Sequence, residues 1–125
     1  DSTLERHRDK SVILAMHHPM IDVGNPMMNQ LNLVNYSELG DVLHKYKNIA
    51  RILCGHIHRD ITGSFCTIPV QVCSSSAFAY PADLNENNLD QLCKDHPGYL
   101  VHEINHGVLT TKRHQLDLHA CLVEI

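Results

Sequence analysis

The chain has 125 residues, enough for one ordinary domain. Its 43% hydrophobic content supports a real core, and 5% aromatics with no Trp make that core mostly aliphatic. A net charge of -4, with no basic run longer than Lys112-Arg113, argues against a nucleic-acid polymer as partner, and no apolar run approaches a membrane span.

Residues 1–8 read as the tail of a helix, Asp9-Lys10 as a turn and Ser11–Met16 as a strand. A start in mid-element is the expectation for the later portion of a longer chain. Residues 19–34 have no clean period and read as a long polar loop with Gly24, Asn25 and two prolines. Long ordered loops are often functional, so Asn25 is a candidate substrate contact, although packing of the loop weighs more. Asn35 with Glu38 reads as a capping box, opening a helix whose apolar stripe is Leu39, Val42, Leu43 and Tyr46. Residues 49–54 follow as a strand, so 11–54 has the form of a βαβ unit.

Further on, Thr62–Cys66 and Val70–Cys73 read as short strands around Thr67-Ile68-Pro69. Ser74-Ser75-Ser76-Ala77 is small and polar, and residues 81–98 are irregular and acidic. Tyr99–Ile104 and Val108–Lys112 form a hairpin across Asn105-His106-Gly107, and 116–125 reads as a last strand. The expected class is α/β (α+β), in a single domain over 1–125.

Five cysteines with no Cys-x-x-Cys disfavour both a disulfide scaffold and a zinc knuckle. Cys54, Cys66 and Cys73 read as small core residues, and reduced thiols point to the cytoplasm. Eleven histidines are the compositional outlier. His44, His96, His106 and His114 read as surface residues, and His102 as structural. More telling are His17-His18-Pro19 and Gly55-His56-Ile57-His58, each directly behind an apolar run. Alternate residues of a strand share a face, so His56 and His58 are expected to point at one object. Gly55 is expected to supply the turn or the close approach. Neutral imidazole suits Zn, Fe and Mn. The bland alternative is a buried, hydrogen-bonded histidine at a strand end; locally it weighs as much as metal binding for His17, and less for His56 and His58.

His-His-Pro and Gly-His-x-His, each behind a strand with a capped helix between them, resemble the second half of the calcineurin-like metallophosphoesterases. Within that superfamily the chain is most similar to bacterial cyclic-nucleotide phosphodiesterases and their glycerophosphodiesterase relatives, over residues 1 to about 115. The resemblance implies the C-terminal part of a four-layer αββα sandwich with two metal ions (Fe, Mn or Zn). It implies that His17 and His56 bind one metal and His58 the other. His18 is expected either to face away from the metal, as a strand neighbour would, or to orient the site. A metal-held hydroxide would then hydrolyse a small phosphodiester, a 3',5'-cyclic nucleotide or a glycerophosphodiester. The family's other ligands come from an earlier half. Gly24-Asn25, Gly40-Asp41 and Asp117-Leu118-His119 do not supply them. The expectation is therefore a hydrolase site that this chain alone does not complete, with exposed sheet edges favouring a homo-oligomer. A non-catalytic phosphoesterase-like scaffold stays open beside it, although intact histidines weigh against that reading.

Overall fold

The computed structural model describes residues 1–89, 91–93 and 97–116. Helix α1 (Ser2–Arg6) buries Leu4. It is held to the chain following the main helix by Tyr46, whose hydroxyl donates to Glu5 Oε2 at 3.2 Å while the Arg8 guanidinium lies over its ring. Strand β1 (Val12–Ala15) follows and pairs in parallel with β2 (Ile49–Cys54), Ala15 opposite Leu53. The connection between them contains α2 (Pro26–Asn29) and α3 (Tyr36–Leu43). The expected βαβ unit is thus observed.

Two details of this connection differ from the sequence reading. The long loop contains α2, a single turn too short to show a hydrophobic period. Asn25 precedes it and Pro26 takes the first helical position, where a missing N–H costs nothing. Before α3, Asn35 makes no side-chain cap. Its amide instead reaches Glu38 Oε2 at 3.4 Å, so the two side chains contact each other rather than the backbone N–H groups a capping box would satisfy.

Strands β3 (Ile61–Phe65) and β4 (Ile68–Val72) form an antiparallel pair. The reversal falls on Cys66 and Thr67, both left-handed (φ 51° and 66°), rather than on Thr67-Ile68-Pro69. With no Gly or Asn at those positions, nothing in composition marks the turn. The sheet order is β1-β2-β4-β3, with the first three strands parallel. Its core is aliphatic: Leu43, Ile52, Ile57, Val70 and Val72 are fully buried. Each such side chain contributes about 1.5–3 kcal/mol of transfer free energy.

The hairpin of β5 (Gly98–Asn105) and β6 (Val108–Gln115) turns on His106 and Gly107 alone, at φ 50° and 80°. A two-residue turn with both φ positive matches strand twist, which lets the hairpin run longer than expected. Arg51 of β2 donates to Thr111 Oγ1 of β6, whose hydroxyl also lies 2.9 Å from His102 Nδ1. This polar contact joins the hairpin to the main sheet. The result is mixed α/β, consistent with part of a metallophosphoesterase domain.

Cys54, Cys66, Cys73 and Cys93 are free thiols. Among the described residues no helix is long and apolar enough to cross a membrane. Most of the expected last strand, Asp117-Leu118-His119, Cys121 and His96 lie outside the described residues.

Candidate metal centre

Parallel pairing brings the carboxyl ends of β1 and β2 side by side. The ladder continues past both strands, with Met16 N donating to Leu53 O at 2.9 Å and Gly55 N to His17 O at 3.1 Å. His17 is thereby set beside Gly55, and His56 is the next residue. Open α/β sheets place ligands at this edge.

His56 and His58 do not lie on the strand, contrary to the alternation argument. β2 ends at Cys54, and both histidines adopt left-handed backbone (φ 71° and 58°). Nor is Gly55 the residue with positive φ. A Cβ built there would meet His17 Nδ1 at 3.7 Å, an ordinary contact. The sharp backbone falls on the histidines themselves, where left-handed conformation costs about 1–3 kcal/mol each. Ile57 between them is buried to 1% exposure and anchors the loop in the core.

His17, His18 and His56 converge, each offering a ring nitrogen within 4.8 Å of the others. The ring centroids of His18 and His56 are 4.3 Å apart, and those of His17 and His56 are 4.9 Å apart. His56 Nδ1 and His17 Nε2 share a hydrogen bond of 3.1 Å, while His56 Nε2 is buried with no partner. Burial, followed by the neighbouring His18, His17 and His58, pulls the His56 pKa below the ordinary imidazole value. A neutral ring with a buried, unpartnered nitrogen has the chemistry of a metal ligand, so these residues fit an ion held through nitrogen. No carboxylate belongs to the group among the described residues.

His58 stands apart from that trio. Its Nδ1 lies 3.2 Å from the Phe78 carbonyl oxygen, and its ring packs against Phe78 and Tyr80. A carbonyl can only accept, so Nδ1 carries a proton, and in the neutral ring Nε2 keeps its lone pair. That is how a ligating histidine is usually oriented, with its second nitrogen held by a carbonyl or carboxylate. The structure thus brings His17 and His56 together and adds His18 as a third imidazole. The sequence left His18 either facing away from the metal, as strand alternation would place it, or orienting the site, but the chain has already left β1 at Ala15.

Asn25 sits elsewhere and is occupied. Its Oδ1 accepts from Met27 N and Met28 N, and its Nδ2 donates to Ala82 O and Leu84 O. With 9% exposure and both side-chain polar atoms bonded, it caps α2 and ties the loop to residues 82–84. Of the two roles the sequence offered Asn25, a substrate contact and packing of the loop, these bonds serve the second. Beside His58 opens a cavity of about 370 Å³ lined by His58, Arg59, Asp60, Ser74, Cys93 and Arg113.

A parallel-sheet edge carrying clustered imidazoles defines an α/β domain with a candidate histidine metal centre. The chain is 29% identical over 103 residues to a probable glycerophosphodiester phosphodiesterase GpdQ of Arcobacter nitrofigilis, covering 82% of this chain and 38% of the relative. It is 29% identical over 113 residues to the 3',5'-cyclic adenosine monophosphate phosphodiesterase CpdA of Escherichia coli K12, covering 90% and 38%. A probable cyclic nucleotide phosphodiesterase of Rhodococcus erythropolis is 40% identical over 73 residues, covering 58% and 23%. These relatives are of the calcineurin-like metallophosphoesterase group, the resemblance that the histidine motifs carry. The chain spans less than two-fifths of the length of each of them. No protein-family model matches it.

Proposed function

We propose that this protein is a metal-dependent phosphodiesterase acting on a small diester, a cyclic nucleotide or a glycerophosphodiester. The observation that carries the proposal is the convergence of His17, His18 and His56 at the carboxyl edge of β1 and β2. Bound metal ions would supply Lewis-acid stabilisation of the phosphoryl oxygens and make water more acidic.

The chain's own residues would do the rest. His17, His18 and His56 would hold one ion through nitrogen, and the Nε2 of His58 would be free to serve a second. Depression of the His56 pKa keeps that ring neutral, so it competes well for metal near neutral pH. The cavity beside His58 falls within the ~300–1,000 Å³ of small-molecule sites, and Arg59 and Arg113 give it cationic walls for an anionic ester. Free thiols fit a cytoplasmic location.

The test is hydrolysis of bis(p-nitrophenyl) phosphate by the complete protein with added Mn²⁺. His56→Ala should abolish it. Undiminished hydrolysis in that variant would sink the proposal. Metal binding without hydrolysis would favour a scaffold that holds a partner.

A further inference from the structure

Three consecutive side chains beyond His56 reach one neighbouring segment, residues 74–80. His58 Nδ1 meets the Phe78 carbonyl at 3.2 Å, and Arg59 Nη1 donates to the Tyr80 carbonyl at 3.1 Å. Asp60 Oδ1 accepts from Ser74 N at 2.8 Å. The first two contacts run from the histidine loop to carbonyls of the segment. The third runs the other way and fixes the point where the segment leaves β4, which ends at Val72.

Asp60 has a second contact. Its Oδ2 lies 2.8 Å from Arg113 Nε on β6, an ion pair by distance that is not aligned as a hydrogen bond. The segment is tied to the same hairpin by Gly98 N donating to Ser75 O at 3.0 Å. Ala79 and Cys93 exchange both backbone hydrogen bonds, at 2.9 and 2.8 Å. Asp60 therefore sits where the histidine loop, the 74–80 segment and the hairpin meet, with 22% of its side chain exposed.

We propose that Asp60 is a positioning residue for His58. By holding Ser74 N it sets the course of residues 74–80, and so places the Phe78 carbonyl against His58 Nδ1. That contact fixes which ring nitrogen keeps its lone pair. The functional meaning rests on the phosphodiesterase reading, in which Nε2 serves a metal. The structural claim does not depend on it. Aspartate suits the task because its short arm reaches an amide nearby while its second oxygen faces a cation.

The test reads the His58 tautomer from its imidazole ¹⁵N shifts in the full chain, with chelator present and at a pH where imidazoles are neutral. The wild type should show a single form protonated at Nδ1. Asp60→Ala should give a mixture of both tautomers, with the ring signals of His102, bonded in the hairpin, unmoved. Asp60→Asn keeps an oxygen for Ser74 N and should restore the single form. A single Nδ1–H form in folded Asp60→Ala overturns the inference, as does a mixture in Asp60→Asn. Should Asp60→Ala not fold, Asp60→Ser, too short to span the contact, is read by the same criterion. Neither metal nor substrate enters the measurement. A failed hydrolysis assay beside a changed tautomer leaves this inference standing, and a working hydrolase with an unchanged tautomer refutes it.

Discussion

His17 Nε2 and His56 Nδ1 lie 3.1 Å apart and share one proton. An ion held by both rings would take one lone pair from each neutral imidazole, and each ring keeps its proton on the nitrogen that does not ligate. Titration with Mn²⁺ or Zn²⁺ in buffers of different ionisation heat should therefore show little proton release above the ordinary imidazole pKa, and release that grows as pH falls through it. His56→Ala and His18→Ala should each weaken binding by more than the ~10–100-fold that loss of an outer partner costs. At this trio His58→Ala should change affinity only a few-fold, since its ring is held at Phe78. Equal losses from His18→Ala and His58→Ala would mean that the trio is not the site.

Much of this arrangement is legible in the residues. The apolar runs ending at Ala15 and Cys54 mark parallel partners, and two histidine motifs behind such strands must meet at one edge. The left-handed backbone of His56 and His58 is not legible, because the neighbouring Gly55 looks like the permissive residue. The Phe78 carbonyl that orients His58 is also hidden, since a backbone acceptor has no residue identity. The cap at Asn25 escapes because α2 is a single turn, with no period to announce it.

Asn25 provides a second expectation. Its cap is worth about 1 kcal/mol, and its two bonds to Ala82 and Leu84 contribute about 0.5–1.5 kcal/mol each. Asn25→Ala should lower stability in urea melts by a few kcal/mol and leave metal affinity unchanged. Asn25→Asp keeps the acceptor for Met27 N and Met28 N but loses both donated bonds. Its melt should show that carboxylate facing two buried carbonyls is no better tolerated. A normal melt with altered metal or substrate binding would return Asn25 to a functional role.

Gly55→Ala tests where the strain resides. The new Cβ meets only His17 Nδ1 at 3.7 Å, and φ is not in the left-handed region. Reduced freedom of the unfolded chain should make the variant neutral or more stable, by up to about 1 kcal/mol. A clear loss of stability would show that the turn needs glycine at this position after all.

Acid should weaken the fold. His102 has a pKa depressed by burial and then by Arg51, and His56 one depressed by burial and its neighbouring histidines. The unfolded chain then binds protons that the folded one refuses. Stability is unaffected above the ordinary imidazole pKa, declines as pH falls through it, and levels off below the depressed folded values. Urea midpoints measured across that range should show this slope, and His102→Gln should make it shallower. An unchanged slope would mean that His102 titrates alike in both states.

Ile57 lies between two left-handed histidines and is as buried as Ile52 in the middle of β2. Truncation to Ala should cost about 2–5 kcal/mol at either position, because each deletion leaves a core cavity. Their effects on the site should differ. Ile52 is fixed within the β1-β2-β4 ladder, so a cavity there leaves the strand ends in place. Ile57 is the only side chain of the Gly55–His58 loop inserted in the core, and its packing offsets the strained backbone on either side. Ile57→Ala should therefore lower Mn²⁺ affinity as well as stability, while Ile52→Ala lowers stability alone. Calorimetric titration of both variants at a temperature where each is folded separates the two effects. Equal metal affinity in the pair would show that the left-handed histidines hold their conformation without the anchor.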